Sequence, residues 1–312
     1  MKAIRTLVII LFLISACAYG GLRVYDEFTA DETCPEITCD TDTLEVSVED
    51  PEEKLLEGVT AVDNKDGDLT SEIVVESMGP FLSDGSRRIT YVVCDNSNNT
   101  SRVSRTLTYS DYKSPRFSIS QILRFPENKE LDILEYLTAE DVLDGNVTNK
   151  IRCTKGYIYS KPSAGIYELG YQVSNSAGDV SNIDVTVEIY EQDTVSYTPA
   201  IQLSEYVVYI KKGRLFNPYQ YLEKVTVVSR TFAISTASDE ESAEEGENVS
   251  GLFGDLSNKD TDDRVIESLH YSDIHVDNPV KVEETGTYKV TYTIITADGY
   301  TGITSLSVIV YE

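Results

Sequence analysis

LEGVTAVDNKDGDLTSEI, residues 56–73, returns as LEYLTAEDVLDGNVTNKI at residues 134–151. A third copy opens as Leu222-Glu223-Lys224-Val225-Thr226-Val227 and is then broken by an insert. Internal repetition fixes the architecture before any single residue is read, because each repeat is one structural unit. The first two copies continue alike, as Asp63-x-x-Asp66-Gly67-Asp68-Leu69-Thr70 and Asp141-x-x-Asp144-Gly145-Asn146-Val147-Thr148. Upstream of each copy stands a proline before an apolar position: Cys34-Pro35-Glu36-Ile37, Ser114-Pro115-Arg116-Phe117 and Thr198-Pro199-Ala200-Ile201. A proline keeps its preceding residue extended and donates nothing to a ladder, which suits the entry of an edge strand. Each proline therefore marks a domain start.

Downstream of each block lies a strand, a short polar turn and a second strand, the signature of a β-hairpin. In the first copy these are 85–94, the turn Asp95-Asn96-Ser97-Asn98-Asn99, and 102–109. The second has 165–173, Asn175-Ser176-Ala177-Gly178 and 184–190, and the third 286–295, Ala297-Asp298-Gly299 and 305–311. Residues 43–48 add a strand of period two, with Leu44, Val46 and Val48 on one face. Short alternating strands at close turn spacing, without a long amphipathic helix, predict an all-β fold of three tandem β-sandwich domains. Their expected bounds are 34–111, 112–192 and 193–312.

The chain has 312 residues, 53 acidic and 26 basic, for a formal net charge of -27 and a pI near 4.3. Such a surface repels phosphate backbones, which excludes nucleic acid as a partner. A hydrophobic content of 41%, with 21 Tyr, still supplies packed cores.

The N-terminus predicts export. Lys2 and Arg5 precede an apolar run from Leu7 to about Ala18, a charged region followed by a hydrophobic one. Residues 1–22 are expected to be either a signal anchor or a lipoprotein signal with Cys17, in Ile14-Ser15-Ala16-Cys17, as the lipidated residue; cleavage after Ala18 is a third option. Residues 23–33 then form a stalk. The expected location is the cell membrane, with the domains on its extracytoplasmic face.

The order x-Pro-x-Ile, LEGVTAVDNKDGDLT, GSRRITYVVCDNSNNTSRVSRTLTY resembles the bacterial immunoglobulin-like domain named after a pesticidal crystal protein, found in tandem on exported Firmicute proteins. It is also similar to hyalin-type repeats. The resemblance implies an immunoglobulin-like sandwich in each copy and a surface spacer, adhesive or carbohydrate-facing module with no catalysis of its own. The third copy departs from it: residues 236–263 carry two acidic tracts and read as a solvated, protease-sensitive insert.

The constellation with chemical potential is the acidic block. Asp63, Asp66, Asp68, Asp141, Asp144 and Asn146 offer the hard oxygens that calcium takes. Their spacing is not that of an EF-hand, and the competing reading has these side chains capping backbone N–H groups while Gly67 and Gly145 make left-handed turns. No other cofactor is indicated. His270 and His275, the two histidines, stand in an acidic stretch and read as surface residues. Cys34, Cys39, Cys94 and Cys153 read as unpaired thiols buried as small hydrophobes. The expectation is a non-catalytic, membrane-tethered protein facing cell-wall polymer, glycan or a surface protein. An accessory role in envelope or exopolysaccharide assembly is the alternative.

Overall fold

The computed structural model describes residues 2–29, 31–227, 230–235 and 269–312. The expected insert at 236–263 lies outside them. Among the described residues the chain is mostly β, in six sheets, and divides into two compact units, Met1–Tyr112 and Lys113–Glu312.

In the first unit the strands follow the prolines and blocks closely. Glu36–Cys39 starts directly after Pro35 and pairs antiparallel with Val59–Asp63, which continues to the two-residue strand Gly67–Asp68. The facing sheet orders Thr43–Val46, Thr100–Tyr109, Arg87–Cys94 and Val74–Met78. Val59 and Ala61 alternate inward from the first sheet onto Ile89, Tyr91, Val93 and Leu107 of the second. Period-two burial on both layers is what two antiparallel sheets packed face to face require. Arg105 is also inside, its guanidinium donating to the carbonyls of Leu55 and Glu57 and to the Tyr91 hydroxyl.

The second unit holds two further apolar cores, one for each remaining copy. Arg116–Ile119 and Ala200–Leu203 again begin directly after Pro115 and Pro199. The two closing hairpins are Gly165–Ser174 with Val180–Tyr190, and Gly286–Ile295 with Thr301–Tyr311. In all three copies an early strand lies parallel to the last one: Thr43–Val46 beside Thr106–Tyr109, Arg124–Pro126 beside Glu188–Tyr190, and Val207–Lys211 beside Ser307–Tyr311.

The last strands of copies two and three do not alternate. Val185–Ile189 and Thr304–Val308 are buried at every position, because their outer faces meet. The seam is polar. Ser305 Oγ accepts from Thr186 N at 2.9 Å, Ser307 Oγ donates to the Asp184 carbonyl at 2.5 Å, and Lys289 pairs with Glu168 and Thr186. Buried hydroxyls with partners satisfy the rule that a polar group leaves water only when bonded. At the edge of the seam Phe117 N donates to the Tyr209 hydroxyl at 2.6 Å, and the Arg116 guanidinium stands 4.6 Å from the Tyr209 ring centroid.

One helix runs from Lys2 to Thr29, through Gly20-Gly21 and into the expected stalk. Among the described residues no helix is long and apolar enough to cross a membrane. The side chains Leu7–Ile14 of the Lys2–Thr29 helix are nonetheless exposed. The cysteines are free thiols as expected, but Cys34, Cys94 and Cys153 are exposed and Cys39 is half-buried. Cys94 lies on the outward face of an alternating strand, so burial as a small hydrophobe fails for Cys34, Cys94 and Cys153, whereas Cys39 packs partly against the first core.

Candidate functional site

Each acidic block makes a turn between two short strands, and the first aspartate organises it. Asp63 Oδ1 accepts from the backbone N–H groups of Lys65 and Asp66 at 2.8 and 2.9 Å, and Asp141 Oδ1 from those of Leu143 and Asp144, both at 2.9 Å. Gly67 and Gly145 have φ of +77° and +68°, a region that side chains resist. Asp68 and Asn146 each accept from the backbone N–H two residues on, at Thr70 and Thr148. The Asp68 carboxyl is held below its ordinary range by the Thr70 hydroxyl and N–H.

The second aspartate does different work. Asp66 accepts from Asn96 N and Nδ2 at 2.9 and 2.7 Å, and Asp144 from Ser176 N and Oγ at 2.7 and 2.6 Å. Both residues tie the block to the closing hairpin turn 30 or more positions away. Asp144 also pairs with Lys150 at 2.6 Å, which holds its carboxyl below the usual range together with Ser176. Asp66, Asp68, Asp144 and Asn146 are thus committed to backbone and hairpin contacts and are not brought into a common ligand set.

Asp63 is brought together with two residues that the block did not indicate, Asp31 and Asp95. One carboxylate oxygen of each lies within 4.8 Å of the others, and all three side chains are buried. Asp95 opens the hairpin turn, its Oδ1 accepting from Ser97 N and Asn99 N at 2.8 Å. Asp31 precedes the first strand, and Asn99 Nδ2 reaches from the hairpin to its carbonyl at 2.9 Å. Asp31 Oδ2 and Asp63 Oδ2 have no hydrogen-bond partner. The Asp63 carboxyl is held below its ordinary range, chiefly by the Asp66 N–H and then by that of Lys65.

The same position in the second copy is Asn175, whose Nδ2 donates to Asp141 Oδ2 at 3.1 Å. In the third it is Thr296, whose hydroxyl accepts from Tyr300 N at 3.0 Å. Asp, Asn and Thr at one repeat position was the available sign that the first copy is chemically distinct. A groove of about 480 Å³ beside Arg116 and Tyr209 is a further concave feature, but both residues already serve the seam. His275 is exposed, as expected.

No family model matches the chain. An uncharacterized 81.3 kDa protein of Acholeplasma phage L2 is 31% identical over 96 residues, which is 31% of this chain; the chain spans only 12% of that relative's length. Among solved structures, one of a carbohydrate-binding module in complex with GlcNAc and adjoining domains of Clostridium perfringens ZmpB is 18% identical, covering 49% of this chain and 27% of that one, at a TM-score of 0.20. Mouse Cadherin-23 EC22-24 is 13% identical over 90% of this chain and 99% of that one, also at 0.20. At TM-scores this low neither likeness carries an argument about function.

Proposed function

We propose that the chain is a non-catalytic, membrane-tethered surface protein built from immunoglobulin-like repeats of the bacterial family named after a pesticidal crystal protein, acting as a spacer or adhesion module. The observation that carries the reading is the seam of the second unit. Two successive copies are joined there through buried, mutually satisfied hydroxyls and an ion pair, so that neither can swing without exposing Thr186, Ser305 and Ser307. Stiffness of this kind serves a spacer that holds a binding surface away from its anchor. Apolar side chains exposed on the N-terminal helix, or a lipid on Cys17, would supply the tether, and the acidic surface suits neutral or cationic polymer or a surface protein better than nucleic acid.

Fractionation of cells making the wild type and Cys17→Ser, with crosslinking on intact cells, tests the proposal. Both forms are expected in the membrane fraction, accessible from outside and crosslinked to wall polymer or a surface protein. Release of Cys17→Ser into the medium would replace the helical anchor by a lipid. A cytoplasmic wild type, or hydrolase activity on wall fragments that is lost with an acidic residue, would overturn the proposal.

A further inference from the structure

We infer that Asp31, Asp63 and Asp95 bind one calcium ion, which fastens the segment preceding the first strand to the first sandwich. The inference stands apart from the spacer reading. Three carboxylates are buried with oxygens within 4.8 Å of one another. Lys65 Nζ, 3.8 Å from Asp31 Oδ1, offsets one of three negative charges and leaves two, which is the charge of the proposed ion.

The orphaned oxygens are the independent sign. A buried carboxylate oxygen without a donor forfeits its hydration for nothing, yet Asp31 Oδ2 and Asp63 Oδ2 both do so, with the Asp31 side chain only 3% exposed. The second copy shows the alternative: Asn175 donates to the matching oxygen of Asp141, and that turn is complete without an ion. Asp95 in the first copy cannot donate while ionised. Asp63 Oδ1 is meanwhile occupied by the backbone N–H groups of Lys65 and Asp66.

Calcium fits better than magnesium. Calcium takes oxygen ligands at about 2.3–2.6 Å in flexible geometry, which three carboxylates held by separate backbone segments can meet, whereas magnesium demands a near-ideal octahedron at about 2.0–2.1 Å. Three carboxylates, with water completing the shell, place the affinity in the range of extracellular modules, about 10⁻⁴ to 10⁻³ M.

Equilibrium dialysis of the full chain against radioactive calcium, with magnesium as competitor, decides the matter. One saturable site is expected, weakened at least tenfold by Asp31→Asn or Asp63→Asn and unchanged by Asp141→Asn. Asp31 lies outside every strand, so its variant keeps the fold. Calcium is also expected to slow cleavage after Glu32 by a Glu-specific protease in the wild type and not in Asp31→Asn. Uptake that never saturates, meaning diffuse counter-ions around a chain of charge -27, would overturn the inference. So would saturable binding untouched by Asp31→Asn, or equal displacement by magnesium.

Discussion

Replacing Arg124 by Met should cost the second unit about 3–5 kcal/mol at pH 7.5, and less at pH 5. Arg124 and Glu188 are register partners on parallel strands, with Nε and Oε1 3.1 Å apart and side chains 10% and 6% exposed. Arg124 also donates to the Thr198 carbonyl at 3.0 Å and lies 5.0 Å from the Tyr190 ring centroid, while Glu188 Oε2 has no hydrogen-bond partner. Removing one member of such a pair leaves a buried, uncompensated charge, the source of the 3–5 kcal/mol. Desolvation already raises the Glu188 carboxyl, with Arg124 pulling the other way, so the folded state holds its proton more tightly than the unfolded one. Stability from this group is therefore full below the unfolded value and falls as pH rises through the higher folded value. Without Arg124 the folded value climbs further, so lowering the pH favours protonation of Glu188 and removes part of the penalty. Urea unfolding followed by circular dichroism at both pH values measures the loss, and hydrogen exchange in Val180–Tyr190 locates it. A loss below 1 kcal/mol, or one equal at both pH values, would refute the argument. Arg124→Met with Glu188→Leu should regain most of the stability.

Tyr209→Phe should cost about 1–3 kcal/mol in thermal or urea melts by orphaning the Phe117 N–H. Burial pushes the Tyr209 phenol up to about 12, so the wild type should lose stability between about pH 10, the free phenol's value, and pH 12, and the variant should not lose that part. Asp66→Ala, which frees the hairpin turn at Asn96, should cost about 0.5–2 kcal/mol by analogy with a lost cap. If Asp66 is a tie and not a ligand, the dialysis stoichiometry for calcium stays the same in that variant.

Strand placement in each copy was legible because prolines, glycines and period-two runs act locally. Strands begin at Glu36, Arg116 and Ala200 directly after their prolines, and Gly67 and Gly145 take the left-handed turns their blocks call for. The seam was not legible. Thr186, Ser305 and Ser307 look like the wet face of a half-buried strand, and only a second sheet laid over them makes their hydroxyls interior. Likewise Asp63 stood out for its motif, whereas Asp31 and Asp95 are 32 residues to either side of it. Folding alone makes the three neighbours. The block's second aspartate had seemed an equal donor, and its engagement with Asn96 or Ser176 depends on a hairpin whose approach no spacing rule reveals.

The parallel pairing of an early strand with the last one in every copy has a mechanical consequence. Tension applied at the two ends of a copy pulls one member of each pair by its N-terminal end and the other by its C-terminal end. The force then runs along the strands and across their hydrogen bonds, so the bonds of a pair must give way together and not one after another as in a peeled hairpin. Val207–Lys211 beside Ser307–Tyr311 spans five residue pairs and Arg124–Pro126 beside Glu188–Tyr190 only three, which makes the second copy the first to yield along this route. Under a steady pull the last copy would outlast it.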